Sequence, residues 1–233
     1  MNDPVRIGPV VALSRYPVKS LRGESLAQLT IEPRGVVGDR LFALRNADGK
    51  FGSGKSTRRF RKMDGLLDLA AAYEGATPMV AFPGGDCIAG DDPAIHERLS
   101  AHVGQAVTLA RETDISHFDD SPIHVLTTAS LRTLGLGAAD AARFRPNIVI
   151  DAPGYGFVED GWIGRDLLLG EGVRLRVTGG AVRCVMVGMA QAELPEQPQL
   201  LRQIGKLHDA CFGVYAQVVD PGAVALSDLA RLA

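Results

Sequence analysis

The chain has 233 residues, 46% of them hydrophobic, and a formal net charge of −2. It is long enough to bury a full core as one large domain or two small ones, and it has no global pull toward nucleic acid or an anionic membrane. The N-terminal MNDPVRIGPVVAL lacks a basic segment followed by a long apolar one, and no apolar run approaches the ~18 residues of a membrane span, so a soluble cytoplasmic protein is expected, with no membrane and no nucleic-acid partner.

Residues 1–90 carry short apolar runs between turn signals: VVALSRY (10–16), LAQLTIE (26–32), LFALRN (41–46) and PMVAF (78–82). That spacing predicts a meandering antiparallel sheet or small barrel. A capped helix follows: Asp91 or Asp92 serves as N-cap, Pro93 opens the first turn, Ile95, Leu99 and Val103 repeat on one face, and Gly104 stops it. His96 and His102 fall on its exposed side. The second half predicts strands near 123–126, 146–150, 173–178 and 182–187, helices near 128–134 and 197–208, and a last alternating strand at 213–219. No βαβα rhythm appears, so the expected class is α+β with a mostly antiparallel, barrel-like core and a few peripheral helices.

GKFGSGKS (49–56) matches the phosphate-loop pattern GxxxxGK[ST], and IVID (148–151) resembles the acidic strand end that holds magnesium in nucleotide hydrolases. The context argues against a P-loop NTPase. Asn46 to Gly49 read as a hairpin turn, and the TRRFRKMDG that follows is too charged for a buried helix. The glycines and the cations Lys55, Arg58, Arg59, Arg61 and Lys62 retain the capacity to cradle an anion, although a solvated loop is the plainer reading. The histidines form no HExxH and no i, i+4 pair, and no GxSxG is present, so zinc and a hydrolase nucleophile lack support.

Cys87, Cys184 and Cys211 are odd in number and form no CxxC pair, which argues against disulfides and against an iron–sulfur cluster of the common types. Cys184 stands in AVRCVM (181–186), beside Arg183. A free cysteine is most often a small buried hydrophobe, but a thiolate is also the soft metal ligand among side chains. Three other segments set cations beside turn residues at the ends of apolar runs: PVKS (17–20), GDR (38–40) and RFRPNIVI (143–150). In the last, Pro146 interrupts the ladder and leaves Arg145 and Asn147 at a backbone break suited to capturing an anion or a polar heterocycle.

Taken in order with EDGW (159–162), RCVM and FGVYA (212–216), these segments resemble the MOSC proteins, relatives of the molybdenum cofactor sulfurase C-terminal domain that include amidoxime-reducing components and bacterial reductases of N-hydroxylated bases. The resemblance spans nearly the whole chain and implies an N-terminal β-barrel part over 5–112 and a MOSC domain over 113–233. It implies that Lys19, Ser20 and Arg40 hold the phosphate of a molybdopterin, that Thr127, Arg145, Asn147 and Arg183 belong to the cofactor-binding set, and that Cys184 is the molybdenum ligand and catalytic residue. The implied reaction is two-electron reduction of a small N-hydroxylated substrate, with electrons from a separate ferredoxin, flavoprotein or haem protein. The chain departs from the family at Val182 and at Val187-Gly188-Met189-Ala190, where a Thr-Thr-Val-Asp-like run is common. A molybdopterin or sulfur carrier without turnover is the alternative from another class, followed by the P-loop NTPase.

Overall fold

A computed structural model describes residues 3–233. Seven strands close into a barrel: β1 (Val5–Arg15), β2 (Ile123–Thr127), β3 (Ile148–Ile150), β4 (Asp166–Leu169), β5 (Val173–Val182), β6 (Cys211–Asp220) and β7 (Leu229–Leu232). Their order is β3-β2-β6-β5-β4-β7-β1, and β1 pairs back onto β3 to complete the ring. Only β2 and β3 run parallel; the other barrel pairs are antiparallel. Alternation explains which side faces in: Val173, Leu175 and Val177 are buried while Arg176 and Thr178 are exposed. Register shifts at Val10/Ala12 in β1 and at several points in β5 supply the bends that closing a short barrel requires. The interior is aliphatic, with Leu13, Val125, Ile150, Leu167 and Val214 among its members.

A second core lies in the first half, between a sheet built from Phe42–Asn46, Phe51–Ser53, Phe60–Lys62 and Val107–Arg111, the meander Ala70–Glu74, Thr77–Ala81 and Cys87–Ala89, and helix α1 (Ala94–Val103). The helix forms as its sequence dictates. Ile95, Leu99 and Val103 are buried, Asp92 Oδ1 accepts from the Ala94 amide at 2.8 Å, and Gly104 takes the left-handed conformation at φ 67°. The expectation of exposed histidines on α1 is corrected: both are half-buried. His96 Nδ1 accepts from the Leu109 amide and His102 Nε2 meets the Gly65 carbonyl.

A third core of Leu131, Phe144, Val187, Ile204 and Phe212 sits where α2 (Thr128–Thr133), α3 (Leu200–His208) and two 3₁₀ turns, Ala138–Phe144 and Val185–Gly188, cover one end of the barrel. Here a second expectation is corrected. No separate strand forms over 182–187: β5 ends at Val182 and Val185–Gly188 is a 3₁₀ turn, because a short apolar run serves a buried turn as well as a strand. The two halves of the chain interleave: β1 completes the barrel of the second half, and Gln28–Glu32 pairs with Gly222–Ala225.

Candidate functional site

After β1 the chain reaches PVKS, which lies beside the strand Phe42–Asn46: the Lys19 amide donates to the Phe42 carbonyl at 2.8 Å and the Phe42 amide to the Pro17 carbonyl at 3.0 Å. Ser20 Oγ donates to the Gly52 carbonyl at 2.9 Å. The GDR turn is tied to the same place. Asp39, fully buried, accepts from the Tyr16 amide at 2.7 Å and pairs with the Arg40 guanidinium, and the Arg40 amide donates to the Tyr16 carbonyl at 2.6 Å. Two distant segments thus converge through one buried carboxylate.

From the second half, the 3₁₀ turn Ala138–Phe144 ends with Arg145 in the left-handed region, and Pro146 bars a further helical turn. Arg145 Nη1 donates to the Leu21 carbonyl. Arg183 leaves the end of β5, donates from Nη2 to the Phe144 carbonyl at 3.0 Å, and brings Nη1 to 3.3 Å from His124 Nε2. Burial, followed by the Arg183 charge, holds His124 well below the ordinary histidine pKa, so its ring stays neutral. Cys184 follows in extended conformation as the residue capping Val185–Gly188, half-buried.

Lys19, Ser20, Arg40, Arg145, Arg183 and Cys184 line one cavity of about 60 Å³. Ser20, Arg183 and Cys184 also line a larger cleft of about 340 Å³, with Phe60 and Tyr215 on its walls. Three of these residues bear backbone strain: φ is 68° at Ser20, 50° at Arg40 and 56° at Arg145. Left-handed conformations cost non-glycine residues roughly 1–3 kcal/mol each and gather where a fold over-determines a site. Burial brings Lys19 down to about 8 against the opposing pull of Asp119, and burial together with the Arg40 charge brings Arg145 down to about 10. Burial and the Arg40 charge both oppose protonation of Lys19 and Arg145, a cost that a bound anion would relieve.

Two residues of the expected set are not brought to the cavity wall. Thr127 is fully buried, caps α2 by accepting from the Ser130 amide, and donates to Glu159 at 2.7 Å. Asn147 is 1% exposed, its Oδ1 accepting from the His124 amide and its Nδ2 donating to the Ser14 carbonyl. Both spend their polar atoms on the protein itself. Residue-type reasoning overlooked Asp39, Asp119, His124 and Tyr215. Asp39 had a signal, lying within GDR, while the others depend on three-dimensional placement. The P-loop-like run is a hairpin and its return: Gly49, at φ 75°, turns the chain between Phe42–Asn46 and Phe51–Ser53, and Lys55 continues to the rim of the larger cleft. The element that follows it is the strand Phe60–Lys62, not a helix.

The cavity can be tested against an anionic, metal-bearing group. Arg145 Nη2 and Arg183 Nε are buried without a hydrogen-bond partner, a costly condition that oxygen or nitrogen acceptors of a ligand would remove. Among the described residues no group of three or more His, Cys, Asp or Glu side chains gathers, so a metal at Cys184 would draw its other donors from a bound organic group. The residues fit a phosphate-bearing ligand with a soft-metal centre.

Family profiles match most of the chain: one described as the MOSC N-terminal beta barrel domain over residues 7–85, the other as the MOSC domain over residues 101–229. No curated protein matches it. Among solved structures, the chain is similar to the YUAD protein from Bacillus subtilis at 14% identity, covering 98% of this chain and 94% of that chain with a TM-score of 0.49. It is similar to a hypothetical protein at 12% identity, 99% and 68% coverage and a TM-score of 0.46. YiiM from Geobacillus stearothermophilus is a third, at 15% identity, 64% and 67% coverage and a TM-score of 0.38.

Proposed function

The chain belongs to the MOSC domain family, with a MOSC N-terminal beta barrel domain ahead of the MOSC domain, and from that premise we propose that it is a molybdenum-cofactor-dependent reductase of small N-hydroxylated substrates. The observation that carries the proposal is the convergence of Cys184 with Lys19, Ser20, Arg40, Arg145 and Arg183 on one cavity, two of whose guanidinium groups have an unpartnered buried N–H.

In this reading Lys19, Ser20 and Arg40 hold the phosphate, since a fixed ammonium, hydroxyl and guanidinium match its charge and acceptor oxygens. Arg145 and Arg183 meet the polar edge of the pterin, and Cys184 is the protein's ligand to the metal. Thr127 and Asn147 support this set from behind, Thr127 at the base of α2 and Asn147 between β1 and β2. When bound, the cofactor would supply a two-electron centre able to accept oxygen. The substrate enters through the larger cleft, which Tyr215 lines together with Cys184 and where burial, by pushing its pKa up, keeps the Tyr215 hydroxyl protonated. The net change, N–OH plus two electrons and two protons giving N–H and water, draws its electrons from a separate donor protein. We place the protein in the cytoplasm; no helix among the described residues is long and apolar enough to cross a membrane.

The test is metal analysis of protein made in a molybdate-replete, cofactor-competent host. Molybdenum should be close to stoichiometric, Cys184→Ala should lose it, and the loaded protein with reduced viologen should convert an amidoxime to an amidine. Metal-free protein from that host would overturn the reading. Molybdenum without conversion would favour a carrier.

A further inference from the structure

Lys19, the buried cation of the cavity, does not stand free. Its side chain is 4% exposed, and Nζ donates to Asp119 Oδ1 at 2.5 Å and to the His117 carbonyl at 2.8 Å. Asp119 is the reverse case: its side chain is 62% exposed, on a segment between Val107–Arg111 and β2 that has no helix or strand of its own. The carboxylate therefore reaches from solvent onto a buried ammonium.

The segment carrying it is held by a second cation. The Arg59 guanidinium donates to the carbonyls of Ser116 at 2.6 Å, Phe118 at 2.8 Å and Asp119 at 3.3 Å. Arg59 comes from the basic run just after GKFGSGKS, so a cation of that run staples a strap across an anion site. Carbonyl contacts to one guanidinium are specific in geometry. His117, fully buried and edge-on to Phe51 at 5.0 Å, anchors the strap, whereas Ser116, Asp119 and Asp120 are exposed, so the Asp119 end is the part that opens at low cost.

Resting on the reading of the cavity as a phosphate site, we infer that Asp119 is an exchangeable internal anion, held over the cavity by Arg59, that competes with ligand phosphate for Lys19. A carboxylate carries one charge and one or two acceptors toward Nζ, whereas a phosphate monoester carries nearly two charges and can also meet Ser20 and Arg40. Competition of this kind keeps a buried ammonium paired before the ligand arrives and selects against weak monoanions. Asp119 is thus a specificity-determining residue and Arg59 a positioning residue.

The experiment uses full-length protein from a host that does not make the cofactor, titrated with inorganic phosphate by calorimetry at low ionic strength. At about pH 6, where Lys19 is protonated with or without its partner, wild type should bind weakly, Asp119→Asn should bind roughly tenfold or more tightly because the competing charge is gone, and Lys19→Gln should abolish binding in both backgrounds. Hydrogen exchange gives the independent readout: phosphate should speed exchange of amides 116–120 in wild type, and Arg59→Gln should speed it without phosphate. Equal or weaker phosphate binding by Asp119→Asn, with Lys19→Gln still abolishing wild-type binding, overturns the competition while leaving the phosphate site standing. Binding that ignores Lys19→Gln, or no binding to any variant, overturns the phosphate-site reading and the competition with it. Unchanged exchange in Arg59→Gln removes the staple.

Discussion

Arg40 and Arg145 share the ring of Tyr16: their guanidinium carbons lie 4.9 and 4.3 Å from its centroid, and Arg40 Nη2 donates to the Arg145 carbonyl at 3.1 Å. Two like charges from opposite halves of the chain are held together by a π-face and by the buried carboxylate of Asp39. The pairing makes Tyr16 a support behind the cavity, tying the proposed phosphate cation Arg40 to the proposed pterin contact Arg145, although Tyr16 itself does not line the cavity.

Truncating that support separates packing from polarity. Tyr16→Ala should cost about 3–5 kcal/mol in urea unfolding, as loss of a buried aromatic does, and should weaken phosphate binding by letting the Arg40 guanidinium drift. Tyr16→Phe loses only the hydroxyl donated to the Pro146 carbonyl at 3.2 Å, so it should cost about 1 kcal/mol and leave phosphate affinity intact.

The anion site should titrate through Lys19. Burial places its folded pKa at about 8, with Asp119 opposing the drop. The protonated ammonium is the binding form, so affinity should be full below that value and fall as pH rises through it. Sulfate is the suitable probe because its own charge stays constant. In Asp119→Asn the opposing charge is removed, and the midpoint should move to lower pH. A midpoint that does not move would show that Asp119 does not act on Lys19 in solution.

Glycine substitutions test the backbone separately from the side chains. A Cβ at Gly213, where φ is 77°, would sit 2.5 Å from His124 Nε2 and 2.6 Å from the Val125 carbonyl oxygen. Gly213→Ala should therefore destabilise by about 3 kcal/mol or more and loosen the contact between His124 and Arg183. Gly49 has a similar φ of 75° but open space around it. Gly49→Ala should cost about 1 kcal/mol, the strain of the left-handed turn alone, and leave molybdenum content unchanged.

Glu159 is fully buried and accepts from Thr127 and from the single hydroxyl of Ser130, which lies 2.7 and 2.8 Å from its two oxygens, and burial raises its pKa. A carboxyl with a raised folded pKa contributes stability that is complete below its unfolded value and is lost as pH rises through the folded one. The difference in melting temperature between Glu159→Gln and wild type should therefore shift in favour of the variant from acid to neutral pH. A difference that stays constant with pH would mean that folding does not shift the Glu159 pKa.

Much of this architecture is legible in residue order, because local rules act on neighbours. The caps and the i, i+4 face of α1, the alternation of β5 and β6, and the hairpin at Gly49 all follow from short-range sterics and burial periodicity. The contradiction between the letters of GKFGSGKS and their context was readable for the same reason. The strand expected at 182–187 failed because a run of four or five apolar residues does not distinguish a strand from a buried turn, and the exposed histidines of α1 failed because their partners lie in Gly65 and Leu109, outside the helix.

Residue order is enough to show which side chains were available for anion and metal chemistry: Lys19, Arg40, Arg145 and Cys184, each at the end of an apolar run that anchors it. It took the folded chain to bring these four together while Thr127 and Asn147 turn inward, to put three site residues in left-handed backbone, and to set Asp119 on Lys19. Convergence depends on barrel closure between β1 and β3 and on charges more than a hundred residues apart, and such contacts leave no local period in the chain.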